Sequence, residues 1–250
     1  MNKFLVLFFS LLITISFSSL AKIEVNVGAY DFKPYFDPNV RLNLTKISVD
    51  KLNLIQQKYH FKISTLPPKR RYQSFNEGKI DLMVFEDPTW GWKKIPHYFS
   101  TLPLMDGEVY FARKDNDRNQ TYFHSFDKKV VAGILGFHYA LTKFEEIPDP
   151  SKLPFRFITF PNADNLISLV LKGRAEIGIV AKSYLNDYLK RNPLAAQQIL
   201  ISDKYDHEYN LGYVLRPGSP VQQEEMSRYM KAVTQDALFI KEAKNIGVIK

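Results

Sequence analysis

The chain contains no cysteine, which excludes disulfides, thiolate chemistry, cysteine-held metals and lipid attachment through an amino-terminal cysteine. Tryptophan is nearly absent too: the two in 250 residues, Trp90 and Trp92, both stand in one short loop. The five histidines show no metal-ligand spacing, and there is no Gly-Xaa-Ser-Xaa-Gly elbow, His-Glu-Xaa-Xaa-His pair or phosphate-binding glycine loop. A binding protein is therefore expected before an enzyme, with no cofactor and no metal. A long basic arm is missing as well, since the densest run, Lys69-Arg70-Arg71, is three residues long. Nucleic acid is accordingly not an expected partner, although the formal charge of +8 favours anionic ligands or partners.

What is present begins with a leader. Lys3 precedes an apolar and hydroxyl run from Phe4 to Phe17, and Ser19 and Ala21 are small. That pattern predicts a secretory signal peptide over residues 1–21, because the run is shorter than the about 20 apolar residues a membrane span needs. Export without cysteine suits the periplasm of a Gram-negative bacterium. The rest has globular composition, 45% hydrophobic and 24% charged.

The organising stretch runs from Pro67 to Lys94. It reads as a helix start at Pro68, a glycine stop at Gly78, a buried strand from Ile80 to Phe85, and a strand end carrying Glu86, Asp87, Trp90 and Trp92. A weaker copy lies 95 residues on, with Gly173 to Val180 matching Gly78 to Phe85. Strands are predicted at 23–29, 61–65, 109–113, 130–135, 155–160, 177–181 and 211–216, with helices over about 43–58 and 163–171 and near 235–245. A further helix is expected to open at Gly136-Phe137-His138-Tyr139. Another is expected after Ser219, with Ser219 as cap and Gln222 completing a capping box. Alternating strands and helices give an α/β fold of two lobes, each a mainly parallel sheet flanked by helices. Residues 22–112 with 214–250 form lobe 1 and 113–213 form lobe 2, joined by two crossing strands that permit hinge closure.

In such sheets ligands meet the carboxyl ends of the strands. Tyr30, Phe32 and Tyr35 leave the first strand at that end and are candidates to wall a ligand. Arg70 or Arg71, one of the two, is placed to touch an anionic group at a helix start. Trp90 and Trp92 flank Gly91 and offer stacking surfaces. Glu86 and Asp87 either receive an ammonium group or cap the loop backbone. Asp81 and Glu176, at the opposite strand ends, are read as structural.

The order of elements, the paired helix-Gly-acid-strand units, the Tyr98-Phe99-Ser100 segment and the leader together resemble the bacterial periplasmic solute-binding proteins of the amino-acid type, which are family 3-like with a type II periplasmic-binding fold. The resemblance spans the whole mature chain. It implies a small polar solute, amino-acid-like or an organic anion, captured between the lobes of a monomer and passed to an ABC permease of the inner membrane. It also implies that His138 and Tyr139 face the cleft. The ligand grip diverges. Where such proteins carry an arginine for the α-carboxylate, this chain offers Trp92, Lys93 and Lys94; where they carry an acid for the α-amino group it has Ala181-Lys182. The competing reading is a periplasmic enzyme of the same fold, dehydratase-like, using a cleft carboxylate as general acid.

Overall fold

The computed structural model describes residues 21–145 and 148–249. The expected leader therefore lies outside the described residues, apart from Ala21. In chain order the elements are β1 (Ile23–Ala29), α1 (Leu44–Leu54), β2 (Tyr59–Thr65), α2 (Arg71–Asn76), β3 (Leu82–Glu86), β4 (Tyr98–Thr101), β5 (Gly107–Arg113), β6 (Val130–Ile134), β7 (Arg156–Phe160), α3 (Ala163–Leu171), β8 (Ile177–Ala181), α4 (Lys182–Arg191), α5 (Pro193–Gln198), β9 (Ile199–Glu208), β10 (Gly212–Leu215), α6 (Gln223–Thr234) and α7 (Ala237–Asn245).

Two five-stranded sheets result, in the orders β2-β1-β3-β10-β4 and β7-β6-β8-β5-β9. In the first, β2, β1 and β3 are parallel and β10 runs against its neighbours β3 and β4. In the second, β7, β6 and β8 are parallel and β5 runs against β8 and β9. The two sheets thus repeat one topology, and β3 and β8 are its corresponding central strands, buried at every residue. Continuous apolar runs such as Leu82-Met83-Val84-Phe85 fit that position because both faces of the sheet are covered. Each run follows a glycine held at positive φ, Gly78 at 72° and Gly173 at 70°, which ends the preceding helical segment.

Asp81 and Glu176 tie the repeat together at the strand ends remote from the ligand side. Asp81 accepts from the Asn26 amide (3.0 Å) and from Arg216 (2.5 Å), and Glu176 accepts from the Val130 amide (2.7 Å). The last helix returns to the first lobe, where Phe239 stacks at 6.5 Å from Phe85. Among the described residues no helix is long and apolar enough to cross a membrane.

The chain passes from the first sheet to the second between Thr101 and Gly107 and returns between Glu208 and Gly212. The boundaries expected from sequence, 112 and 213, fall inside β5 and β10. The two crossing segments bond to each other, Leu102 N to Leu211 O at 2.8 Å and Tyr209 N to Asp106 O at 2.9 Å.

Two helix expectations are corrected. No α-helix opens at Gly136; the segment makes one 3₁₀ turn over Ala140–Thr142 and stops at Lys143 and Phe144, both at positive φ. The amides of Ala140 and Leu141 are capped instead by Asp206, at 2.7 and 2.9 Å. Ser219 does not cap a helix at Pro220 either. Its hydroxyl accepts from the Val221 amide, and α6 begins only after Gln222, which makes no side-chain cap.

Candidate binding site

The cleft is built from loops at the carboxyl ends of β1 and β3 in one lobe and of β6 and β9 in the other. Tyr30 and Phe32, just after β1, are buried there against Phe137 of the second lobe, with ring centroids 6.0 and 5.7 Å away. Phe32 stacks on Tyr35 at 4.8 Å and meets Trp90 edge-on at 5.6 Å. Trp90 in turn meets Tyr209 at 4.9 Å. Aromatic groups from both lobes therefore interlock with edge-to-face geometry, which favours closure beyond the area they bury.

The charged centre is Arg71, only 1% exposed at the first position of α2. Its Nη1 donates to Pro68 O (2.8 Å) in its own lobe and to Gly136 O (3.1 Å) in the other. Its guanidinium lies over the rings of Tyr30 and Tyr72, 5.0 and 4.3 Å from their centroids. Nε stands 3.5 Å from Glu86 Oε2. That same carboxylate oxygen accepts from Trp92 Nε1 at 2.8 Å. Burial raises the Glu86 carboxyl above its ordinary pKa, with Arg71 and Trp92 opposing the shift. Beside Arg71, the Tyr72 hydroxyl donates to Trp90 O and meets His138 Nε2 at 2.7 Å, a second polar bridge between lobes.

The expected site residues thus separate. Tyr30, Phe32, Arg71, Glu86, Trp90 and His138 converge on the cleft. Arg70 does not: it is exposed and bonds Gln73. Trp92 is fully buried within its own lobe, against Tyr72 and Phe75 at 5.0 and 5.1 Å. The turn at Gly91, φ 81°, sends the two indoles different ways. Tyr139 belongs to the core of the second lobe, where its hydroxyl accepts from the Ile134 amide and its ring packs on Phe157. Tyr35 lies beneath Phe32 and donates to Asp106 at 2.8 Å. Lys93 and Lys94, at the position where the resemblance implies an arginine, are exposed. Ala181 lines the cleft, and Lys182 turns to the Tyr205 hydroxyl at 2.9 Å.

Sequence reasoning missed Asp106, Glu108 and Asp206 behind this wall; Asp87, expected to receive an ammonium group or cap the loop backbone, accepts from the Thr89 amide at 2.8 Å. Asp106 also accepts from Ser183 Oγ (2.5 Å), joining the crossing segment to the second lobe. Burial works to raise the Asp87 carboxyl, but hydrogen bonds from His207, Thr89 and Asn210 hold it below its ordinary pKa. Glu108 is buried beside Asp206 and pushed well above the carboxylate range, first by desolvation and then by the Asp206 charge. The run Asp206-His207-Glu208-Tyr209, polar and aromatic at the end of a strand, was the signal that marked this region. Asp31 and Lys33 at the mouth were missed likewise, and Asp164 was read as no more than a helix cap.

Between the lobes the remaining cavity is about 20 Å³, lined by Phe32, Ile134, Phe137, Ala163, Val180 and Tyr184 among others, room for about one water molecule. A wider recess of about 360 Å³ opens outside it and shares Lys33 and Tyr184. Among the described residues no group of three or more His, Cys, Asp or Glu is placed to hold a metal ion.

The sequence matches no protein-family model and no curated protein. The fold does match solved structures. A putative binding component of an ABC transporter from Wolinella succinogenes, complexed with lysine, superposes with a TM-score of 0.70 at 12% identity, covering 89% of this chain and 94% of that one. The amino acid ABC transporter substrate-binding protein AbpA from Streptococcus pneumoniae, bound to L-arginine, gives 0.68 at 14% identity over 89% and 94%. The GluR0 ligand-binding core from Nostoc punctiforme, in complex with L-glutamate, gives 0.67 at 13% identity over 89% and 99%. The shared architecture is the two-lobe, type II periplasmic-binding α/β fold.

Proposed function

We propose, from the two-lobe periplasmic-binding fold that this chain has, that it captures a small polar solute between its lobes and presents the closed form to a partner. A periplasmic location and an inner-membrane ABC permease as partner belong to the same reading. The observation that carries it is the convergence of groups from both lobes on one point: Arg71 and Tyr72 of the first lobe bond Gly136 O and His138 of the second. A solute that replaces or extends those bridges favours the closed state by its differential affinity for it. The lysine, arginine and glutamate held by the structural neighbours support a solute of amino-acid size. The exposed Lys93 and Lys94 argue that an α-carboxylate is not fixed as the family resemblance implied.

A thermal-shift screen of the mature protein against amino acids, amines, sugars, organic acids and short peptides tests this, with mass spectrometry of each hit. Ligand at 100 times its dissociation constant adds about 2.7 kcal/mol, and the compound is expected back intact. Turnover would transfer the site to the enzyme reading. No shift across the panel would overturn solute capture.

A further inference from the structure

The chain is basic as a whole, with a formal charge of +8, but its cleft is acidic. Around the 360 Å³ recess at the mouth, Asp37, Asp164, Asp187 and Glu242 stand against Lys33 and Arg191. Lys33 Nζ is itself divided among three carboxylates, at 3.4 Å from Asp37, 3.6 Å from Asp164 and 4.0 Å from Asp31. At the inner end the guanidinium of Arg71 is enclosed by two ring faces, one carboxylate and two backbone carbonyls. That set replaces the water an organic cation loses on burial. One of the carbonyls, Gly136 O, belongs to the opposite lobe, so filling this cage and closing the lobes are one event. Glu86, the carboxylate of the cage, is fully buried, with the Tyr30 hydroxyl and the Trp92 indole N–H beside it.

We infer that this cage selects an organic cation bearing a guanidinium or alkylammonium group, and that Arg71 is its intramolecular occupant, displaced when the ligand enters. The inference rests on the solute-capture reading and names the class of solute. An anion entering the same cleft would pass the mouth carboxylates and reach a guanidinium already paired with Glu86, 3.5 Å away. A tethered occupant lowers apparent affinity in proportion to the fraction of molecules whose cage is free. If Arg71 fills the cage in roughly 90–99% of molecules, its removal tightens ligand binding by about ten- to a hundredfold.

The test is calorimetric titration of agmatine, a guanidinium-bearing diamine, and of succinate into the wild-type protein, Arg71→Met and Arg71→Met/Glu86→Gln. Agmatine is expected to bind the wild type, to bind Arg71→Met at least tenfold more tightly, and to lose at least tenfold of that in the double variant; succinate is expected to bind none of them. Equal or weaker agmatine binding by folded Arg71→Met overturns the inference. Binding of succinate in place of agmatine overturns it while leaving solute capture standing. Failure of both probes on every protein overturns it too, and the broader thermal-shift panel then decides solute capture separately.

Should Arg71→Met not fold, nitrogen-15 spectra of the wild type read the same event. The Arg71 Nε–H resonance, dispersed while caged, is expected to move to the solvent-exposed position as agmatine saturates. An unmoved resonance at saturation overturns displacement.

Discussion

Glu108→Gln is expected to stabilise the protein at neutral pH and to flatten its pH dependence. Glu108 lies on β5, 1% exposed, with Oε2 making no hydrogen bond. Desolvation and then the Asp206 charge raise its carboxyl well above the ordinary range, the Tyr209 hydroxyl opposing the shift and Asp106 and Asp87 adding to it. A carboxyl raised in the folded state takes up a proton on folding. Its contribution is complete below the unfolded pKa, about 4.3, and is lost as pH rises towards the folded value. Within that window the slope approaches 1.36 kcal/mol per pH unit for one group. Between pH 5 and 7 the wild type is thus expected to lose stability through this residue as pH rises, and the neutral amide loses nothing. Urea unfolding at pH 5, 6 and 7 measures the difference between the two proteins, which cancels the other carboxylates. Parallel pH profiles, or a glutamine variant less stable than wild type at pH 7, would refute the reasoning.

Trp92→Phe is expected to cost about 1–3 kcal/mol of stability by removing the N–H that Glu86 accepts, seen as a lower urea midpoint at unchanged slope. Loss of ligand affinity without loss of stability would return Trp92 to the binding surface. Phe137→Ala removes both edge-to-face contacts with Tyr30 and Phe32, and at about 0.5–1.5 kcal/mol each it should open the lobes, read as a larger radius of gyration by X-ray scattering. An unchanged radius would mean that the hinge, not the aromatic contact, sets closure. Gly178→Val should destabilise strongly, because even a Cβ there would lie 2.4 Å from the Phe111 ring and 2.7 Å from Leu166; overpacking of this kind costs about 1–3 kcal/mol or more, and a wild-type melting temperature would contradict the packing described.

Elements whose causes are local were legible in the sequence. The stripe Ala163, Leu166, Ile167 and Val170 is the buried face of α3, capped by Asn162 as its position suggests. The repeat spaced by 95 residues is the correspondence of β3 with β8. Elements whose causes lie elsewhere in the chain were not legible. The segment after Gly136 is held by Asp206, supplied from a strand far along the sequence, and no local pattern announces that. Arg70 and Arg71 are neighbours with opposite fates for a similar reason. The residue at the helix start that points inward depends on where Glu86 and the second lobe stand. Trp90 and Trp92 look alike in sequence, and the left-handed turn at Gly91 separates a cleft wall from a core residue.

The same distinction bears on charge. Net charge is a sum over the surface and governs long-range attraction, whereas selection in a closed cleft depends on the groups taken out of water with the ligand. Here the two point in opposite directions. Lysines such as Lys93 and Lys94 are exposed, while Asp87, Glu108 and Glu86 are buried, and Asp106 half-buried, at or behind the cleft wall. Burial raises Glu108 well above the ordinary carboxylate range, and Asp87 is bonded to His207 and to the Asn210 amide, which leaves Glu86 as the carboxylate beside the guanidinium of Arg71. A basic exterior around an acidic, aromatic interior therefore argues against the organic anion that the overall charge suggests, and for a cation.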